Sequence, residues 1–334
     1  ALDTVTIYGK RPLSINTSPR NFSEKLGRFN LISIAHFALN YLEIYKVFFA
    51  QRVFYTPGQT LFGVLKYAPF VLVSKFLGKE IIVHIHGSYI RKQYDQLRGL
   101  TKKAFGKVLS YSNKGVVLSK TLQDNLSPFI AKENIYVLPN FYNNQLTEQI
   151  IEKSFSSLKI CYLSNLMNEK GIFFLLEALE ELNAKGVPFK ATIAGHIDQS
   201  QEKKLLNKMA QIEGLSYKGL VRGEKKRQML QEANVFVLPT FYKMEGLPIS
   251  IIEAMATGNV IISTDHGAIS DLVTEWDNGF LIKKKSVDAI LEKLLLLAKE
   301  PKVAKKISVN NIAKAKKNFS DKKFSKGLLN IIHA

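Results

Sequence analysis

Cysteine is almost missing from this 334-residue chain: Cys161 stands alone. That excludes an intrachain disulfide framework and any cysteine-based zinc site, and it fits a reducing compartment. No uninterrupted apolar stretch reaches the ~18 residues a bilayer-spanning helix needs. Residues 1–20 lack the basic-then-apolar order of a signal peptide. No short repeat and no low-complexity tract is present, which sets aside solenoid and fibrous architectures. Acidic residues are scarce beside basic ones, 28 against 47, for a net charge of +19. The imbalance is steeper early: up to Glu148 there are 19 bases and 8 acids, against 28 and 20 afterwards. Such a surface suits an anionic partner, whether nucleic acid, an acidic membrane or a phosphorylated ligand. A solvated lysine-rich surface is the plain alternative.

What is present is a globular composition, 46% hydrophobic and 22% charged, over a length that suggests two domains. From Val53 the pattern alternates strand and helix. Val53–Tyr55, Ile81–Ile85, Gly115–Leu118 and Ile135–Leu138 read as strands. Helices are expected over 61–77, 89–111 and from Lys120, the last capped by Ser119. Residues 140–157 are polar and read as a linker. A second series follows, with strands near 159–163, 189–194, 215–218, 235–238, 260–263 and 279–282. A helix over 286–297 and a lysine-rich helical tail over 303–332 close the chain. Alternation of this kind predicts parallel sheets covered on both faces. Before Val53 the expectation is thinner: a strand over 13–15 and an apolar core helix over 29–49. A membrane-surface role is the alternative for that helix, because Arg20, Lys25 and Arg28 precede it. No strand followed by a glycine-rich turn opens the first domain.

The strongest chemical signal is the segment from Val235 to Gly258. A buried strand ends at Pro239, a loop carries Glu245, and Pro248 can start a helix that contains Glu253. Ligands of open α/β sheets bind beyond the carboxyl ends of strands, where a helix N-terminus attracts phosphate. The N–H groups of Ile249 and Ser250 therefore suit a diphosphate. Two acids repel phosphate, yet they accept hydrogen bonds from sugar hydroxyls. Phosphate donors flanked by hydroxyl acceptors describe a nucleotide-sugar site. In the first domain, His84 and His86 alternate at a strand end. A neutral imidazole there can hydrogen-bond a hydroxyl, and a satisfied strand histidine is the alternative. The basic cluster of Arg91, Lys92, Arg98, Lys102, Lys103 and Lys107 suits a membrane or a lipid pyrophosphate, or is a solvated helix face.

Glu245 and Glu253 match the E-x7-E signature of retaining glycosyltransferases of family 4, which have the GT-B fold. Further matches are Ile160 to Gly171, Ala194-Gly195, Tyr217 to Gly219 with the following Glu224-Lys-Lys, Val137 to Asn140, and Thr264 to Asp271. The resemblance runs over nearly the whole chain from Leu13. It implies an α/β fold of two Rossmann-like doubly wound domains facing a central cleft. The corresponding bounds are 1–145 for an acceptor-side domain, 146–315 for a nucleotide-sugar domain, and 316–334 for a helical tail packing on the first domain.

By matching position, the resemblance implies that Glu245 faces the donor sugar, Glu253 grips the ribose and Lys170 holds the diphosphate. His86 then lies near the reacting sugar. Asn165, Gly195, Gly246, Leu247, Ile249, Ser250 and Arg222 complete the donor-binding set. Asn165 stands where the family usually has arginine, so Lys243 or Arg222 would supply the missing charge. The implied enzyme is a metal-independent hexosyl- or N-acetylhexosaminyl-transferase with no cofactor. Its donor would be a UDP-sugar, and its acceptor a lipid-linked glycan or surface polysaccharide such as lipopolysaccharide. The implied setting is cytoplasmic, peripheral on an anionic inner membrane face, without nucleic acid. A catalytically silent sugar-nucleotide-binding relative and a basic nucleic-acid-binding protein are the rivals.

Overall fold

The computed structural model describes residues 13–17, 37, 39–149 and 151–334. The chain divides into two compact units, 1–138 with 325–334, and 139–324.

The first unit holds a parallel sheet of four strands in the order β1 (Arg52–Tyr55), β2 (Glu80–Ile85), β3 (Lys114–Val117) and β4 (Ile135–Val137). β2 and β3 are almost wholly buried, as expected for parallel strands covered on both faces. The helices are α1 (Leu61–Leu65), α2 (Ala68–Phe76), α3 (Ile90–Gln96) and α4 (Gly99–Ser110). The helix expected over 61–77 is thus two. Pro69 lies in the first turn of α2, where its missing N–H breaks no helical bond. The one expected over 89–111 also divides, because Leu97 is extended and Gly99 has a positive φ of 53°. The basic cluster is split by this break. Arg91 pairs with Asp95, and Lys102 stacks over the Tyr94 ring at 4.6 Å.

Three other expectations are corrected here. The Ser119 side chain does not cap the next helix. Its hydroxyl meets that of Thr121 at 3.0 Å, and a short 3-10 helix, Lys120–Asn125, follows. Residues 13–17 form no strand. They are held by scattered bonds instead, the Ser14 carbonyl to Lys46 and the Thr17 hydroxyl to Tyr67. The core helix expected over 29–49 lies partly outside the described residues. Its later part is a 3-10 helix, Asn40–Phe49, with Val47 buried and most of its large apolar side chains exposed.

The second unit holds six parallel strands: β5 (Leu158–Leu163), β6 (Phe189–Ala194), β7 (Leu215–Tyr217), β8 (Val235–Leu238), β9 (Val260–Thr264) and β10 (Gly279–Ile282). Each lies within one residue of its expected bounds. The order is β10-β9-β8-β5-β6-β7. Chain direction across the sheet therefore reverses between β5 and β8, which makes their carboxyl ends the switch point of a doubly wound unit. The helices are α5 (Ile172–Ala184), α6 (Glu202–Ala210), α7 (Gly223–Glu232), α8 (Ile249–Ala256), α9 (Ile269–Leu272), α10 (Val287–Lys299), α11 (Pro301–Asn318) and α12 (Asp321–His333). The tail expected as one helix breaks at Phe319 and Ser320. The last ten residues of the chain group with the first unit.

The polar segment 140–157 is fastened into the second unit and does not act as a free linker. The Tyr142 N–H donates to the Phe319 carbonyl at 3.0 Å. Lys153 donates to the Leu230 and Gln231 carbonyls at 2.9 and 2.8 Å, capping the end of α7. The Asn234 amide donates to the Ser154 and Ser157 carbonyls.

Candidate functional site

The loops after β5 and β8 meet at the switch point. The Phe241 N–H donates to the Glu169 carbonyl at 2.7 Å. Gly171, at the start of α5, has a φ of +80°, and a Cβ there would sit 2.3 Å from the Pro239 carbonyl oxygen. Only glycine permits so close an approach. A second glycine is as tightly bound by its place. Gly195, just past β6, has a φ of +146°, and a Cβ would stand 1.7 Å from the Ser164 oxygen. The Tyr217 hydroxyl donates to the Gly195 carbonyl at 2.8 Å, fixing that turn.

These loops bring Lys170 and Glu245 together. The Lys170 ammonium lies 2.8 Å from Glu245 Oε2, and the Thr240 hydroxyl donates to the same oxygen at 2.8 Å. Lys170 also stands 4.9 Å from the centre of the Tyr242 ring. Glu245 is buried, so both donors offset the cost of removing a carboxylate from water. The loop is held from its far side by His266, whose Nε2 sits 2.8 Å from the Tyr242 carbonyl. That contact requires the N–H tautomer at Nε2, since a carbonyl only accepts. Burial draws the His266 pKa down.

Pro248 precedes α8, as expected, and the Ile249 and Ser250 amides open its first turn. Ile249 is exposed, whereas Gly246 and Leu247 are buried. The Gly246 carbonyl accepts from the Ala268 amide at 3.0 Å. The Leu247 carbonyl accepts from Asn140 at 2.7 Å. From Ile251 to Ala256 every residue of α8 is buried, Glu253 among them. Burial pushes the Glu253 carboxyl above the usual carboxylate range, and the Lys226 ammonium pulls it part of the way back. Lys226 comes from α7 and lies 2.5 Å from Glu253 Oε1. It also lines an open cleft of about 420 Å³ between α7 and the segment holding Asn143 and Leu146.

Glu245 and Glu253 therefore each carry one lysine. Lys226 was readable from sequence only as part of the Glu224-Lys-Lys match, without its pairing to Glu253, and Thr240 was not foreseen. Thr240 lies two residues past β8, where a hydroxyl is an unremarkable loop residue. Lys226 lies 27 residues from its acid, in a run of bases that all look alike. The buried position of Glu253 is the signal that calls for a cation, and only the fold says which one. Asn165 is half-buried, and its carbonyl accepts from the Tyr162 hydroxyl at 3.0 Å. Arg222 is exposed, at the residue before α7. Lys243 is exposed as well.

In the first unit, His84 and His86 lie on one side of β2, with ring centroids 4.1 Å apart. His84 is buried, edge-on to Phe54, and among the described residues its Nε2 has no hydrogen-bond partner. Burial holds its pKa well below the histidine range, and the neighbouring His86 adds to the effect. His86 keeps an edge open to solvent at the strand end, while the surrounding protein lowers its pKa. Among the described residues, no three His, Cys, Asp or Glu side chains gather as a metal's ligands would. Nor is any described helix long and apolar enough to cross a membrane.

The pattern that defines the family "Glycosyl transferases group 1" matches residues 145–314, half of the chain. This chain belongs to the glycosyl transferases group 1 family. Its match contains Lys170, Glu245, Glu253 and the whole switch point. Among curated relatives, the putative colanic acid biosynthesis glycosyltransferase WcaL of Salmonella typhimurium is 28% identical over 155 residues, 45% of this chain and 38% of that protein. The putative teichuronic acid biosynthesis glycosyltransferase TuaC of Bacillus subtilis is 29% identical over 230 residues, 66% of this chain and 56% of that protein. The chain thus spans less than two thirds of either relative. Among solved structures, Anabaena HepE in complex with UDP superposes with a TM-score of 0.70 at 15% identity, covering 89% of this chain and 84% of that one. HepE in complex with UDP-glucose superposes equally well, at 14% identity and over 88% and 81% of the two chains. At such identities the likeness carries the fold, two Rossmann-like units of the GT-B class.

Proposed function

We propose that the protein is a retaining glycosyltransferase of family 4. It moves a sugar from a UDP-sugar to a lipid-linked or polysaccharide acceptor. The observation that carries this reading is the switch point itself. One lysine and one acid meet on the two loops where a doubly wound sheet binds its ligand, and a helix N-terminus with a second acid follows. HepE, a structural neighbour, is solved with UDP and with UDP-glucose, which supports the choice of donor. WcaL and TuaC are named for polysaccharide biosynthesis, which supports the choice of acceptor.

In this reading the diphosphate lies on the Ile249 and Ser250 amides and takes the Lys170 ammonium. Glu245 then accepts from a donor-sugar hydroxyl through the oxygen that Lys170 and Thr240 leave open. Glu253 accepts from the ribose diol, and Lys226 keeps its carboxylate ionised. The bond from the anomeric carbon to the diphosphate oxygen breaks as the acceptor oxygen bonds to the same face of that carbon. The acceptor's proton passes to the departing phosphate. Lys170 and the helix terminus stabilise the charge that develops on the leaving group. No metal or separate side-chain base is invoked. His86 is assigned a hydrogen bond near the reacting sugar.

Calorimetric titration with UDP, GDP and ADP tests the donor side, with Glu253→Ala as control. Selective UDP binding that weakens in the variant is the expected result. Absence of nucleotide binding by the intact protein overturns the reading.

A further inference from the structure

The turn before β10 lies away from the donor site. β10 is an edge strand of a parallel sheet, so residues 274–278 sit at its amino end, whereas the switch point lies at the carboxyl ends. Trp276 stands in that turn and is the single tryptophan of the chain. Its φ is +64°, and among the described residues only Lys285 shares a positive φ without being glycine. A left-handed backbone suits glycine and strains a bulky side chain. Burial does not offset that strain here, because Trp276 is 53% exposed. A strained residue whose large ring stays in water points to a task outside the fold.

The turn is fixed from several directions, so the ring is presented rigidly. The Trp276 N–H donates to the Gly279 carbonyl at 3.1 Å. The buried Asn278 side chain accepts from the Thr274 N–H at 2.6 Å and donates to the Leu272 carbonyl at 2.9 Å. From α11, the Asn310 amide donates to the Asp277 carbonyl and carboxylate at 2.9 and 3.0 Å. The indole meets buried Phe280 edge to face, with centroids 5.2 Å apart, and the Lys293 ammonium stands over it at 5.9 Å. On either side of Trp276 in the chain are exposed acids, Glu275 and Asp277. Each is engaged by a protein donor through one oxygen, Glu275 by the Leu281 N–H at 2.8 Å and Asp277 by Asn310.

We propose that Trp276 is the platform of a second glycan-binding site, which takes a pyranose oligosaccharide apart from the sugar being transferred. The C–H face of a pyranose is apolar and slightly positive, so it rests on an aromatic face, whose π-cloud is negative. Its hydroxyls project from the ring edge, where a carboxylate oxygen accepts them. A rigid indole bordered by Glu275 and Asp277 supplies both kinds of contact. The site lies at the opposite end of the strands from the switch point, so it holds a stretch of glycan already made. Naming that glycan as the acceptor or product chain rests on the transferase reading, whereas sugar binding at Trp276 does not. A weak platform of this kind keeps a long chain near the donor site by raising its local concentration.

Fluorescence titration of the full chain reads the site directly, because Trp276 is the single tryptophan. Cellohexaose and maltohexaose are the probes. A saturable shift of tryptophan emission is expected, and saturating UDP should leave it unchanged. In Trp276→Gly, affinity measured by saturation-transfer NMR should fall by about tenfold. Glycine adopts the same φ freely, so that variant keeps the turn. Trp276→Phe retains a smaller ring and should keep part of the binding. Tryptophan emission that neither hexasaccharide moves overturns the proposal. So does binding that survives in Trp276→Gly, or a shift that UDP competes away, which would put the sugar at the switch point. A wild-type dimer that Trp276→Gly dissolves, seen by sedimentation velocity, assigns the ring to a second copy and overturns it as well. Calorimetric UDP binding by Trp276→Gly should match the native chain, so failure of the glycan site and failure of the donor reading are told apart.

Discussion

Two sites, one in each unit, treat buried titratable groups in opposite ways. In the second, each buried acid of the switch point has been given a lysine, Lys170 for Glu245 and Lys226 for Glu253. In the first, the buried polar group of β2 has been left alone. Among the described residues His84 Nε2 lacks a partner, as do buried side-chain oxygens of Gln201, Asn259 and Asn311 away from the switch point, and large apolar side chains stand in water a short distance along the chain. Paired, buried charge is a preorganised electrostatic site, costly to build and useful where charge develops. Unpaired polarity and exposed apolar surface mark places where something else completes the structure. The contrast is between the ion-paired switch point and the strand end of β2, and it can be tested residue by residue.

The largest effect should follow from Glu245→Gln. The variant keeps the shape and the bond from Thr240, and loses the charge that Lys170 matches. If Glu245 acts on the donor sugar, kcat/KM for transfer falls by about 10²–10³, some 3–4 kcal/mol of transition-state stabilisation. UDP affinity by calorimetry should change only a few-fold. Equal losses in both would recast Glu245 as a residue of ground-state binding.

Stability offers the next test. Gly195→Ala places a methyl against the Ser164 carbonyl in a backbone conformation closed to alanine. About 3 kcal/mol or more should be lost in urea unfolding. Phe76→Ser, at a side chain 90% exposed, should change stability by about 0.5 kcal/mol or less. A large cost at Phe76 would mean that this exposed side chain is packed in solution, against the contrast drawn above.

Much of this was legible in residue order. The runs of β5, β6, β8 and β10 are short, largely apolar and bounded by turns, so their edges were readable to a residue. Glu245 and Glu253 were readable because one interval of chain contains both acids, the proline and the helix. The pairing of Lys226 with Glu253 was not, because a contact across 27 residues depends on how α7 lies against α8. The 3-10 helix was missed for a different reason. A segment apolar on nearly every face gives no period, so neither its pitch nor its exposure can be read from spacing. The breaks at Lys66 and Arg98 fall inside runs with good helical pattern, where a proline three residues on and a left-handed glycine decide locally.

Lys226→Leu sharpens the comparison from the side of the paired acid. Burial already raises the Glu253 pKa, and Lys226 opposes that rise. Removing the ammonium moves the pKa further up. Ribose binding uses the ionised carboxylate, so UDP affinity is lost as pH falls through this raised value. In the variant the loss should begin at higher pH, and affinity at neutral pH should weaken by about tenfold, or 1.4 kcal/mol. Calorimetry across a pH series reads both. An unchanged profile would separate Lys226 from the nucleotide.

The smallest effect concerns the unpaired group. His84→Phe keeps a ring against Phe54 and removes a buried nitrogen that has no described partner. An unsatisfied buried donor or acceptor costs about 1–3 kcal/mol, so the variant should be as stable as the native chain or slightly more so at neutral pH. Acidification tests the cause. The folded pKa of His84 lies well below the unfolded value near 6.5, so the unfolded chain binds the proton first. Stability is then present above about pH 6.5 and is lost as pH falls from there towards the folded pKa. His84→Phe should flatten that part of the curve in urea titrations at successive pH values. If the variant is instead less stable at every pH, the ring of His84 has a partner that replaces water, and the first unit would resemble the second after all.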